Sequence, residues 1–148
     1  MQKSHTQKIV LISFLSLAIL PLVSACAQDE QRDISVAATV AFTEGPTVAE
    51  DGTVYFTDLD NNRIMRLSTD GALSTFRQPS HGANGLLFDS EWRLLACEGG
   101  DGASVLPRVT RTNMETGEIE TLADHYEGKQ LHQPNDLTFD ALGRIYFT

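Results

Sequence analysis

The chain reads GTVYFT at residues 52–57 and GRIYFT at 143–148. This recurrence limits the fold more than any other feature. Three segments align with one another: EGPTVAEDGTVYFTD from Glu44, NGLLFDSEWRLLACE from Asn84 and NDLTFDALGRIYFT from Asn135. Val54, Leu94 and Ile145 hold matching places in them, at offsets of 40 and 51 residues. Repeats of that period mark arrays of one supersecondary unit, because a single unit cannot bury its own apolar face.

Each unit opens with a short strand, at Thr47–Ala49, Leu86–Phe88 and Leu137–Phe139. A polar turn follows: Glu50-Asp51-Gly52, Asp89-Ser90-Glu91 or Asp140-Ala141-Leu142-Gly143. Turns of this kind between apolar runs are hairpin signals. A second, aliphatic and aromatic strand comes next. The first two units then add two more strands, RIMRLS and ALSTFR in one, PRVTRTNM and EIETLAD in the other. Four antiparallel strands in a unit of this length describe a blade of an all-β propeller. Helical periodicity is missing, as is a glycine-rich loop joining strand to helix, so a dinucleotide-binding fold is excluded. Two blades and the first hairpin of a third are expected over 35–148. Asp33–Phe42, DISVAATVAF, reads as a further strand of the kind that closes a propeller ring. On this reading the remaining blades lie beyond Thr148, and the chain is the N-terminal part of a longer protein. A half-propeller that oligomerises is the alternative.

The first residues stand outside that pattern. Lys3 and Lys8 precede an apolar run, Ile9–Val23, that is short for a membrane span and placed as a secretory signal. Residues 1–25 are therefore read as a signal peptide and 26–34 as a polar tether. Two cleavage readings compete. Ala25-Cys26-Ala27 offers a small-x-small site, and VSAC at 23–26 resembles a bacterial lipobox, with Cys26 lipidated. The second reading expects a periplasmic or outer-membrane-anchored lipoprotein. Cleavage removes two lysines and no acid, taking the formal charge from −9 to −11. That acidity argues against nucleic acid, which needs clustered Lys and Arg, and favours cations near the surface. Cys97 then has no partner, ends an apolar strand, and reads as a buried inert thiol rather than a nucleophile.

The repeat also selects the residues that carry chemistry. Applied to the first residue of each unit, the same offsets join Glu44, Asn84 and Asn135. If that position lies on the innermost strand, three side-chain oxygens from successive blades face the central channel. One carboxylate and two carboxamides form a hard oxygen set that suits Ca²⁺, and they include no soft ligand for zinc or copper. Each of the three also has a plain reading as a turn residue. His81 and His132 lie close by and read as rim residues.

At these residues the chain resembles the senescence marker protein / gluconolactonase / luciferin-regenerating enzyme family. The resemblance rests on TEGPTVAEDGTVYFTDLDNNRI, ANGLLFDSEWRLLACE, RVTRTNMETGEIETLADHYEGKQL and QPNDLTFDALGRIYFT, from about residue 36 onward. It implies a six-bladed propeller with a divalent metal, often Ca²⁺, in the channel, and hydrolysis of sugar lactones or other esters. It further implies that Glu44 is a metal ligand and that Asn135 contacts metal or substrate; Asn84, in a motif typical of the bacterial gluconolactonase-like branch, and His132 beside the last asparagine are the further substrate-binding candidates. Two more family ligands, an asparagine and an aspartate that acts as the base, belong to later blades. The chain departs from the family at Gly99–Pro107, a glycine-rich loop without His or Arg, and at Gln133, where serine is common. These departures leave the substrate open. The expected activity is metal-dependent hydrolysis of a sugar lactone, by the parent protein rather than by this segment alone. The alternatives are a non-catalytic envelope propeller that binds carbohydrate or protein, and a propeller esterase or phosphotriesterase.

Overall fold

The computed structural model describes residues 35–36, 38–102 and 104–148. The signal-like segment 1–25, Cys26 and the tether 26–34 lie outside them. The described residues hold twelve strands and no helix. Blade 1 is a four-stranded antiparallel sheet in the order β1 (Thr43–Val48), β2 (Val54–Asp58), β3 (Arg63–Leu67), β4 (Leu73–Arg77). Blade 2 repeats it with β5 (Ala83–Phe88), β6 (Leu94–Glu98), β7 (Arg108–Thr112) and β8 (Ile119–Ala123). A small hairpin follows, β9 (His125–Tyr126) with β10 (Lys129–Gln130). The third unit contributes one hairpin, β11 (Leu137–Phe139) with β12 (Ile145–Phe147).

Turn chemistry explains where the strands reverse. Asp89 and Asp140 stand at matching points, where blade 1 has Ala49 and its aspartate, Asp51, comes two residues later; all three fold their carboxylates back onto the turn. The Oδ1 of Asp51 accepts from the Thr53 amide, that of Asp89 from Glu91 and Arg93, and that of Asp140 from Leu142 and Arg144. One side chain thus replaces the backbone partners that a tight turn lacks. The last turn position, just before the second strand, is left-handed in all three units, held by Gly52, Gly143 and, in blade 2, Trp92 at φ 57°. The β9–β10 hairpin went unseen in the sequence. Its two-residue turn, Glu127-Gly128, has both residues at positive φ, the geometry that matches strand twist.

The core lies between the sheets. Tyr55, Ile64, Ala83, Leu86, Leu94 and Ala96 pack blade 1 onto blade 2. Leu95, Cys97, Val109 and Leu137 pack blade 2 onto the third hairpin. Strand β6 serves both clusters, since successive side chains point to opposite faces. With a neighbour on each side, all five of its residues are buried, so LLACE shows no polar alternation.

The strand expected over 33–42 is not formed by its described residues, 35–36 and 38–42. Strand structure needs a facing row of amides and carbonyls. Among the described residues the segment is tied to blade 1 at Phe42, whose carbonyl accepts from the Leu59 amide at 2.9 Å and whose amide donates to the Asp58 carboxylate. The apolar residues of the expected strand still have a place: Val36, Ala38 and Val40 border a cavity of about 420 Å³ shared with Val54, Phe56 and Leu67 of blade 1.

Candidate functional site

The innermost strands β1 and β5 start earlier than the sequence suggested, so Glu44 and Asn84 lie inside them. Both strands break register there. The β1–β2 ladder shifts between Glu44 and Thr47, and the β5–β6 ladder between Ala83 and Leu86. Such bulges re-aim side chains and recur beside active sites. Each bulge contains a glycine, and the reason is the neighbouring unit. A β-carbon on Gly45, whose φ is 48°, would lie 2.2 Å from the Asn84 carbonyl oxygen. A β-carbon on Gly85 would meet the Asn135 carbonyl and the Asp136 carboxylate at 2.7 Å. Side-chain contact is replaced by backbone contact, and the three units step around one line.

Two hydrogen bonds fix that step. The Thr57 hydroxyl donates to the Asn84 carbonyl at 3.1 Å. The Gly85 amide donates to the Asn135 carbonyl at 2.7 Å. Glu44, Asn84 and Asn135 are therefore successive members of one stack at the level of the backbone. Glu44 and Asn84 are half-buried and Asn135 is exposed. Asn135 precedes β11 rather than lying in it. Among the described residues none of the three side chains makes a hydrogen bond or ion pair. Glu44 also borders the cavity with Val36 and Val40, which Asn84 and Asn135 do not touch.

The nearby buried acids behave differently. Asp58 and Glu98, again 40 residues apart, end β2 and β6 with no exposed surface. Asp58 is held by Arg63 at 2.8 Å and by Asn61 at 3.0 Å. Burial pushes the Asp58 carboxyl up, but the Arg63 and Asn61 hydrogen bonds outweigh it and set it below the usual carboxylate range. Glu98 takes Arg77 from blade 1 at 2.7 Å, Arg108 at 2.8 Å and the Thr110 hydroxyl at 2.8 Å. Both acids are already compensated and have no charge to spare for a cation. Sequence reasoning missed them, although the same offset that found Glu44 would have paired them, each with an arginine opening the following strand.

His81 and His132 take up matching places three residues before Asn84 and Asn135. His81 is left-handed at φ 55°, as is Gln133 at φ 51°, beside His132. The rim before β5 is braced by Asn62, whose Oδ1 accepts from the Gly82 amide and the Ser80 hydroxyl, both at 3.0 Å. His132 is exposed and His81 half-buried. Cys97 is fully buried, and burial, with the nearby Asp136 carboxylate, pushes its thiol up to about 12. A thiol so held is no nucleophile.

Four-stranded antiparallel blades packed against one another, with register breaks in their first strands, define a class: β-propellers. The chain belongs to the SMP-30/gluconolactonase/LRE-like family, whose sequence profile matches residues 42–148. It is 25% identical over 127 residues to a gluconolactonase of Zymomonas mobilis, covering 76% of this chain and 34% of that protein. It superposes on a gluconolactonase of Xanthomonas campestris with a TM-score of 0.66 at 31% identity, covering 74% of this chain and 35% of the other. A virginiamycin B lyase from Staphylococcus aureus shares the fold, with a TM-score of 0.56 at 21% identity, covering 79% and 38% of the two chains. The chain thus spans about a third of the length of these relatives.

Proposed function

We propose that a protein of the relatives' length carrying this chain hydrolyses a sugar lactone or related ester with the help of a divalent cation, Ca²⁺ before others. The observation that supports this most is the contrast between acids: Glu44 has no protein partner among the described residues, while Asp58 and Glu98 are saturated by arginine and hydroxyl donors. A half-buried carboxylate without compensation, in one backbone stack with two asparagines, fits a hard cation better than it fits a structural role. When bound, the cation supplies Lewis acidity toward a carbonyl oxygen. Glu44 contributes the balancing charge. Asn84 and Asn135 contribute neutral oxygens that orient without adding charge, and His132 on the rim meets the substrate's outer groups.

The test is Ca²⁺ calorimetry together with proton release from gluconolactone, on the wild-type protein and on Glu44→Gln and Asn84→Ala. Glu44→Gln keeps shape and one oxygen but removes the charge. It is expected to lose most Ca²⁺ affinity and turnover, and Asn84→Ala to lose less. Unchanged Ca²⁺ binding in Glu44→Gln would refute the metal role. Ca²⁺ binding without hydrolysis would replace the enzyme with a binding propeller.

The same proposal places the protein in the bacterial envelope, tethered through Cys26. Fatty-acid labelling that is equal in wild type and Cys26→Ala, or absent from wild type, would sink that placement.

A further inference from the structure

The opposite ends of β1 and β5 hold a second feature. There the Glu50-Asp51 turn and the Ser90-Trp92 turn border a cavity of about 460 Å³, lined by Ala49, Glu50, Asp51, Tyr55, Phe88, Trp92 and Met114. It opens between blades 1 and 2, both four-stranded. Glu44 and Asn84 stand near the other ends of the same strands, so this cavity is not part of the candidate metal centre. A volume of this size accommodates a small ligand.

Trp92 is the reason to expect one. The matching positions in the other two units are Gly52 and Gly143, all three with positive φ. A residue with a β-carbon is strained there, and a large aromatic has no need of that place to make the turn. Trp92 nevertheless stands there, 42% exposed. Its ring is 6.1 Å from Phe88, tilted by 57°, and Phe88 packs edge-on against Tyr55 at 5.4 Å. Strain accepted at one blade only, for an aromatic left partly open, points to binding rather than to folding.

The lining specifies the ligand. It has three aromatic rings, one methionine and two carboxylates, and no basic side chain. The Glu50 carboxylate makes no hydrogen bond or ion pair among the described residues. Rings with negative faces beside an unpaired carboxylate attract a soft, weakly hydrated cation. We propose that the cleft between blades 1 and 2 binds an alkylammonium group, stacked on Trp92 and balanced by Glu50.

The proposal is tested on the intact protein by titrating tetramethylammonium chloride, with sodium chloride and methyl glucoside as parallel titrations. Calorimetry is read on wild type, Trp92→Gly and Glu50→Gln. The fluorescence difference between wild type and Trp92→Gly isolates the signal of Trp92, the chain's only tryptophan. The expected result is a saturable change with tetramethylammonium alone, lost in Trp92→Gly and about threefold weaker in Glu50→Gln, as suits a partly exposed charge pair. Glycine occupies the same turn position in the other units, so Trp92→Gly is expected to fold, and its melting temperature checks this. Glu50→Gln, which breaks no bond, carries the test if it does not. An equal response to sodium chloride, saturation by the glucoside instead, or undiminished binding in both variants would overturn the proposal. Ca²⁺ binding at Glu44 is measured separately and does not depend on the outcome.

Discussion

At the scale of single residues, the glycines at the stack are as demanding as the ligands. Gly45 combines a left-handed backbone with a carbonyl oxygen 2.2 Å from where a β-carbon would sit. Backbone cannot swing away as a side chain can, so strain and overpacking add. Gly45→Ala is expected to destabilise by about 2–4 kcal/mol, read as a lowered urea midpoint at unchanged slope. Gly71→Ala is the comparison: its β-carbon meets nothing, and its φ of 86° leaves only conformational strain. A Gly45→Ala midpoint no lower than that of Gly71→Ala would contradict the close-approach argument. Asp58 supplies a pH prediction. Its carboxyl is held below the ordinary value of 3.8 in the folded protein. Its stabilising contribution is therefore complete above that ordinary value and lost as pH falls through the lower folded one. Wild type should lose urea resistance more steeply between pH 4.5 and pH 3 than Asp58→Asn does. Parallel pH profiles would count against this.

Among the elements, the contact between blades is held by an ion-pair knot as well as by apolar packing. Arg77 ends β4 of blade 1 and reaches Glu98 at the end of β6, where Arg108 and Thr110 also converge. Glu98 is cross-strand partner to Ala83, and the Gly99 amide donates to the Gly82 carbonyl at 3.0 Å. The knot therefore also anchors the entry to β5, one residue before Asn84. Removing one member of a buried pair leaves the others uncompensated, which costs far more than the pair contributes. Glu98→Ala is expected to destabilise by about 3 kcal/mol. Arg108→Met, which leaves Arg77 to balance Glu98, should cost less. Chemical denaturation of both variants checks the order, and equal losses would argue against a knot centred on Glu98.

For the molecule as a whole, the described blades leave large apolar side chains open. Tyr146 and Phe147 on β12 and Phe42 before β1 are exposed, Tyr146 by 50%. Strand faces and edges left in this state promote association. A polypeptide consisting of residues 28–148 is expected to self-associate in sedimentation velocity, and Tyr146→Lys to shift it toward monomer. A wild-type monomer that melts cooperatively would contradict this.

Much of this architecture was legible in the sequence because a repeat announces its own register. Once Val54, Leu94 and Ile145 were aligned, the blade pattern, the three first-hairpin turns and the trio Glu44, Asn84, Asn135 followed from one pair of offsets. Strand periodicity and turn chemistry are local properties, and local properties are written in order along the chain. Pairing between distant segments is not. Residues 35–42 alternate like a strand yet form none where they are described, because strand structure needs a neighbour. The tertiary structure alone decided that Asp58 and Glu98 are consumed by arginines from other strands while Glu44 is left uncompensated. It alone explained why Gly45 and Gly85 cannot carry a side chain, and it alone showed that Trp92 holds the left-handed backbone that glycine holds in the sister turns. Each of these depends on what a second segment brings within a few ångströms, a distance that residue order by itself does not encode.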